Sequence, residues 1–390
     1  MRARVMRGAL TAALAACLLT ACALSAPSSS PSATRQPTSS ASSPTPTPPP
    51  DPAVDAVAAM SVTEQAASVV MGHIPGTDPA TLRAYMQSAP QGAPLGGFIL
   101  MGGNIGADAA QVRALSDALT LDPALPPLIA IDEEGGVVRR LPWDTLPGGQ
   151  GLHAFDLTQT EQVFAQRAAL IAETGANVNF GIVADVPADA SSFIYSRALG
   201  ADPDSASSRV TAAVDGEEGV VLSTLKHFPG HGAAPGDSHH SIPTTAMTLQ
   251  QWQAGDARPF VAGIDAGAEL LMFGHLAYTA VDAAPASLSA RWHEIARDEL
   301  GFDGVTITDD LGMLTASGVP EHQDPVSNAV AALRAGSDMV PMVAGSTAET
   351  APQMVAGIVS AVDDGRLGAD RLRDAAERVM RLRMQAAAGR

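Results

Sequence analysis

Short apolar runs recur along this chain between longer stretches in which apolar and polar residues alternate with helical spacing. The runs are Ala67–Met71, Gly97–Leu100, Leu128–Ile131, Val178–Val183, Val220–Leu225, Glu269–Phe273, Val305–Ile307 and Asp338–Val340. Each has the length of a strand, and most intervals are long enough for a crossover helix. The final stretch, Asp370 to Met384, carries Leu372, Ala376, Val379 and Leu382 at helical spacing, with Asp370 as the expected N-cap. Eight strands alternating with helices predict an α/β fold, a single (β/α)8 TIM-type barrel; a doubly wound sheet with extra strands is the alternative. A barrel also predicts where chemistry sits, because reactive residues follow the C-terminal ends of its strands. Asn104 follows the second run, Asp132-Glu133-Glu134 the third and Asp185 the fourth. Lys226-His227 and a long loop follow the fifth, His275 the sixth and Asp309-Asp310 the seventh. Charged residues are only 16% of the chain, so composition alone does not gather them there.

The N-terminus has a different pattern. Arg2, Arg4 and Arg7 precede an apolar run from Ala9 to Ala21, too short to cross a bilayer stably and suited to a signal peptide over residues 1–21. The run ends in Leu19-Thr20-Ala21-Cys22, which resembles a bacterial lipobox, and this implies acyl chains on Cys22 and a secreted, membrane-anchored, outward-facing protein. Residues 22–52 are dominated by Ser, Pro, Thr and Ala and cannot bury enough surface to offset chain entropy, so they predict a disordered tether. The folded domain is expected over 53–390. Its only candidates for a disulfide, Cys17 and Cys22, both lie in the leader, so a large core has to supply its stability. A formal charge of −18 argues against nucleic acid and against a bare anionic membrane as partners.

Four segments then carry a resemblance. They are Ile131-Asp132-Glu133-Glu134-Gly135-Gly136 with Arg140; Ser196-Arg197-Ala198-Leu199-Gly200-Ala201-Asp202-Pro203; Lys226-His227-Phe228-Pro229-Gly230-His231-Gly232 with Asp237-Ser238-His239; and Phe302 to Met313. Together they resemble glycoside hydrolase family 3, in its β-N-acetylglucosaminidase branch. The resemblance runs from about Ser61 to Arg383, and the Lys-His-Phe-Pro-Gly-His-Gly run with Asp-Ser-His beyond it is its most specific part.

Retaining glycosidases need a carboxylate nucleophile near the anomeric carbon and a proton donor for the leaving oxygen. Asp309, at the end of a buried strand, is a nucleophile candidate on position alone; a helix N-cap is the structural alternative. The resemblance assigns the first Asp of this pair that role, and leaves Asp310 to support the loop. It implies a histidine as proton donor, His239, oriented by Asp237. A carboxylate beside the ring would hold one tautomer. The loop from Phe228 to Pro243 is rich in Gly, Pro and small residues and is expected to move. By the same resemblance Asp132, Arg140, Arg197, Lys226 and His227 bind the sugar, and Glu134 orients loops. Asp185 and His275 stay open between site and scaffold, and Met272 and Phe273 are expected in the core.

The implied activity is removal of terminal β-linked N-acetylglucosamine, with cell-wall muropeptide fragments as the expected source, by a monomer that needs no cofactor or metal. A carbohydrate is the expected partner. Alternatives are a β-glucosidase or xylosidase of the same family, a phosphorylase using the same histidine, and a non-catalytic sugar-binding lipoprotein. Three positions depart from the family pattern: Val137 and Gly103, where the family has Arg, and Ala233-Ala234, where it often has Asp-Thr.

Overall fold

The computed structural model describes residues 51–389. The expected signal peptide, Cys22 and the tether up to residue 50 lie outside the described residues. Asp51 and Pro52, assigned to the tether by composition, instead begin a helix, Pro52–Ala58. The Asp51 carboxylate accepts the Ala53 N–H at 2.9 Å. Pro52 occupies the first turn, where a missing N–H costs nothing.

The barrel strands are β1 (Val70–Gly72), β2 (Gly97–Leu100), β3 (Leu128–Ile131), β4 (Val178–Val183), β5 (Leu222–Phe228), β6 (Leu270–Phe273), β7 (Val305–Thr308) and β8 (Val340–Pro341), and a separate short pair joins Thr244–Thr245 to Ala277–Tyr278. They pair in parallel in the order β8-β1-β2-β3-β4-β5-β6-β7. A parallel bridge between Ile307 and Met339 brings β7 back beside β8 and closes the barrel. Every residue of the barrel strands is buried, because helices cover the outer face and side chains fill the inner one. The continuous apolar runs record this two-sided burial.

Side chains reinforce the backbone bonds of the closing seam, which run from Met339 N–H to Thr306 O and from Thr308 N–H to Met339 O. Asp338, just before β8, accepts the Thr306 N–H and hydroxyl through Oδ2, each at 3.0 Å. Three arginines gather on the same carboxylate: Arg297, Arg371 at 2.6 Å and Arg378 at 3.4 Å.

Several boundaries differ from expectation. The first strand starts at Val70 rather than Ala67, because Ala67 belongs to the helix Val62–Ser68, whose capping box pairs Ser61 with Glu64. The fifth begins at Leu222, leaving Val220 exposed, and runs on through Lys226 and His227. Those two residues are therefore part of β5 rather than residues after it. The last helix is Ala369–Ala388, with Gly368 as N-cap. Asp370 lies in its first turn and bonds Arg373 at 2.8 Å, so its carboxylate serves the helix dipole rather than the cap.

One part of the core bears on the site. Phe228, at the end of β5, is ringed edge-on by Trp252, Phe260 and Trp292 and packs 4.8 Å from Phe273. From this cluster the Trp252 indole donates to Pro229 O and the Tyr278 hydroxyl to Gly230 O, both at 2.6 Å. The exit of β5 is thus pinned from outside the barrel.

Candidate active site

The ends of β2 to β8 surround a cavity of about 610 Å³. Asp132, Glu134, Arg140, Arg197, Lys226, His227, His239 and Asp309 line it together with Asp310. Each element presents its residue for a local reason. After β3 the chain turns sharply through Gly135 and Gly136, with φ of 76° and 60°, which only glycine adopts without strain. A Cβ on Gly135 would also meet the Arg167 guanidinium at 2.1 Å. That turn folds Glu134 and Arg140 back over the strand ends.

The charged groups form one alternating network. Lys226 Nζ lies 2.9 Å from Asp132 Oδ1 and 2.7 Å from Glu134 Oε1. Arg140 reaches the other oxygen of Asp132 at 3.1 Å. Arg197 forks onto both oxygens of Glu134, at 2.9 and 2.7 Å. Glu134 therefore holds two cations of the cavity in place, Lys226 on β5 and Arg197 on the loop after β4. Burial alone would raise the pKa of Asp132 and Glu134, but the facing cations outweigh it, so both carboxyls lie below the usual range. Burial likewise opposes the charge on Lys226, yet Asp132 and Glu134 hold its pKa above the usual lysine value.

His227 is oriented by Asp185, whose Oδ2 is 2.7 Å from Nδ1, while Nε2 sits 3.3 Å from Arg197. The same carboxylate accepts the His227 and His231 backbone N–H groups through Oδ1. Asp185 is fully buried and does not line the cavity, which places it in the scaffold of the site. Burial raises its carboxyl pKa, but His227 reverses this and brings it down to about 2. His275 is also scaffold: its nitrogens face Ser287 Oγ at 2.7 Å and Asp310 O at 2.9 Å.

Asp309 stands at the end of β7, its N–H donating to Phe273 O at 2.8 Å. Its Oδ1 accepts only the neighbouring Asp310 N–H, and among the described residues it forms no ion pair within 4 Å. Burial pushes its pKa up, but His227, His275, that N–H and Lys226 together bring it below the ordinary value. Asp310 turns away and accepts N–H groups from Gly312, Val343 and Ala344 at 2.7 to 2.9 Å, supporting the loop as expected.

Asp237 and His239 sit on the loop after β5. Asp237 Oδ1 is 2.6 Å from His239 Nδ1, and both side chains are about half exposed. Of the three departures, Val137 is 71% exposed and, like Gly103 and Ala233, does not line the cavity. Asn104 is scaffold, its amide donating to Ile74 O and Gly76 O at 2.9 Å. Met272 is buried as expected but forms part of the cavity wall. Sequence reasoning did not single out Phe193, Met101, Met313 or Val138, which also line the cavity. Apolar residues in loops give no chemical signal, although Phe193 stands out among serines.

Residues 80–382 match the family description "Glycosyl hydrolase family 3 N terminal domain". A protein named beta-hexosaminidase from Stenotrophomonas maltophilia strain R551-3 is 37% identical over 248 residues, covering 60% of this chain and 72% of that one. The solved family 3 β-N-acetylglucosaminidase from Paenibacillus sp. FPU-7 superimposes with a TM-score of 0.78 at 29% identity, covering 84% of this chain. The present chain spans 63% of that longer protein. The β-N-acetylhexosaminidase from Beutenbergia cavernae superimposes at 0.71 with 29% identity, covering 83% of this chain and 98% of that one. The family match runs from before β2 to the last helix, across every strand end that contributes a charged group to the cavity, and the chain belongs to glycosyl hydrolase family 3.

Proposed function

We propose that this hydrolase removes terminal β-linked N-acetylglucosamine by a retaining mechanism. Asp309 attacks the anomeric carbon while His239 protonates the departing glycosidic oxygen, leaving a glycosyl ester on Asp309. His239 then takes a proton from water, whose oxygen displaces Asp309. Asp132, Lys226, Arg140, Arg197 and His227 hold the sugar hydroxyls.

The observation that carries this reading is how the acidic groups of the cavity are committed. Asp132 and Glu134 are each held by two cations, and Asp310 is taken up by backbone N–H groups. Among the described residues, Asp309 is left as the cavity carboxylate with no cation and no partner beyond its neighbour's N–H, and the His239–Asp237 pair as the proton donor of this reading. The relatives named as hexosaminidases support N-acetylglucosamine as the sugar. Cell-wall fragments as the source, and a lipid anchor at Cys22 on an outward-facing membrane surface, belong to the same proposal and rest on the sequence of the leader.

The test is release of the phenol from paired aryl β-glycosides, N-acetylglucosaminide against glucoside, with and without phosphate. The expected result is much faster release from the N-acetylglucosaminide, with free sugar as product in both buffers. Comparable rates on the two glycosides would move the chain to a broad-specificity glucosidase. Sugar phosphate as the product would make it a phosphorylase.

A further inference from the structure

We infer that His231 and Ser238 form a latch that positions the Asp237–His239 pair over the cavity. The inference rests on His239 being the proton donor proposed above, and it concerns what keeps a half-exposed histidine in place.

The stem of the loop is fixed by the Trp252 and Tyr278 hydrogen bonds to Pro229 and Gly230. Its tip is not. Residues 235–241 bond to one another through Asp237, which accepts from His239, His240 and Ser241. Among the described residues, one hydrogen bond ties this tip to the rest of the protein: His231 Nε2 to Ser238 Oγ, at 2.8 Å. Ser238 lies between the two members of the pair, and its side chain is buried although both neighbours are half exposed.

The fixed half of the latch is well anchored. His231 is buried, its N–H donates to Asp185 at 2.6 Å, and the Phe193 ring meets its ring edge-on at 4.6 Å. Gly232 lets the chain pass close to the segment that follows β4, since a Cβ there would lie 1.8 Å from Val186 O. Burial and the nearby His227 bring the His231 pKa down to about 4, so the ring is neutral at ordinary pH and offers a donor or acceptor to Ser238 without a charge. His231 Nδ1 has no partner, which leaves Ser238 as the one side-chain bond the ring makes. His231 and Ser238 are thus positioning residues acting through His239, and neither needs to touch the reacting atoms.

Ser238→Ala, made in the wild type and in His239→Ala, tests this on a disaccharide and on the dinitrophenyl N-acetylglucosaminide. A misplaced proton donor costs most where the leaving group needs the proton. Ser238→Ala should therefore lower kcat on the disaccharide about tenfold while KM changes little, and should barely slow phenolate release. In the His239→Ala background the same change should have less than about a twofold effect, since residues acting as one unit are not additive. Ser238→Thr, which keeps the hydroxyl, should recover most of the rate. An equal loss in both backgrounds, or an equal loss on both leaving groups, overturns the latch. If His239→Ala itself shows no dependence on leaving group, the donor assignment falls and the latch with it, a result separable from simple additivity. A thermal melt of Ser238→Ala close to wild type excludes misfolding as the source of the loss.

Discussion

Lys226 Nζ crosses from β5 to within 2.9 Å of Asp132 Oδ1 at the end of β3, and both belong to the ion-pair network that lines the cavity. The lysine side chain is only 3% exposed, so removing its charge leaves Asp132 and Glu134 facing each other with less compensation. Lys226→Met should cost about 3 kcal/mol in a urea titration and raise KM, because two buried carboxylates each lose the ammonium that bridges them and keep one cation apiece. A variant as stable as wild type would show that Arg140 and Arg197 suffice to neutralise the pair.

Asp309 and His239 should fail in different ways. In the proposed mechanism Asp309→Ala removes the atom that forms the glycosyl ester, so turnover should vanish on every substrate. His239→Ala removes proton transfer, worth roughly 10²–10⁴-fold, and an anionic leaving group needs little of it. The variant should cleave a dinitrophenyl glycoside far better, relative to wild type, than a disaccharide, with a phenolate burst before slow deglycosylation. Asp237→Ala should give a milder form of the same pattern. A His239→Ala defect equal for both leaving groups, or substantial activity in Asp309→Ala, would contradict these roles.

A buried carboxyl away from the site sets the alkaline side of stability. Glu217 is fully buried with one oxygen unpartnered, and burial, partly offset by the Asn179 amide, pushes its pKa up to about 8. Burial, with the Asp144 carboxylate adding to it, raises Glu133 to about 7. The native state binds these protons more tightly than the unfolded chain does, so each contribution is lost as pH rises through the folded value. Burial holds His231 and His293 at about 4, which works in the opposite sense below the unfolded histidine value of roughly 6.5 and not above it. Melting temperature should therefore fall between about pH 6.5 and 8, and Glu217→Gln should flatten that fall. An unchanged slope in the variant would assign the alkaline loss elsewhere.

The proposed membrane attachment should be separable from catalysis. If Cys22 carries the acyl chains, Cys22→Ala should move activity from the membrane fraction to the soluble one without altering kcat, because the barrel begins beyond it. Membrane-bound activity that persists in the variant would count against the anchor.

The strands were legible in the sequence because burial on both faces leaves uninterrupted apolar runs, and β2, β3 and β4 begin and end where those runs do. Reading failed where a strand carries chemistry or a helix abuts one. Lys226 and His227 interrupt the apolar pattern of β5 without ending it, and Ala67 is equally at home in a helix. The charged residues of the cavity were found through motifs. Their pairing was not, since nothing in the local spacing tells that Glu134 meets Arg197, 63 positions away. Asp185 could not be placed from sequence because its role depends on His227 and His231, which only the closed barrel brings to it.

The seam between β7 and β8 gives the barrel an uneven joint. Backbone bonds join the two strands there, Met339 N–H to Thr306 O at 3.0 Å and Thr308 N–H to Met339 O at 3.3 Å, but the Thr306 amide itself goes to a side-chain carboxylate. Protection of that amide against hydrogen exchange is therefore set by Asp338 and its three arginines rather than by strand pairing. The Thr306 amide is thus held by an electrostatic clasp, and slow deuterium uptake there reports whether the clasp is fastened.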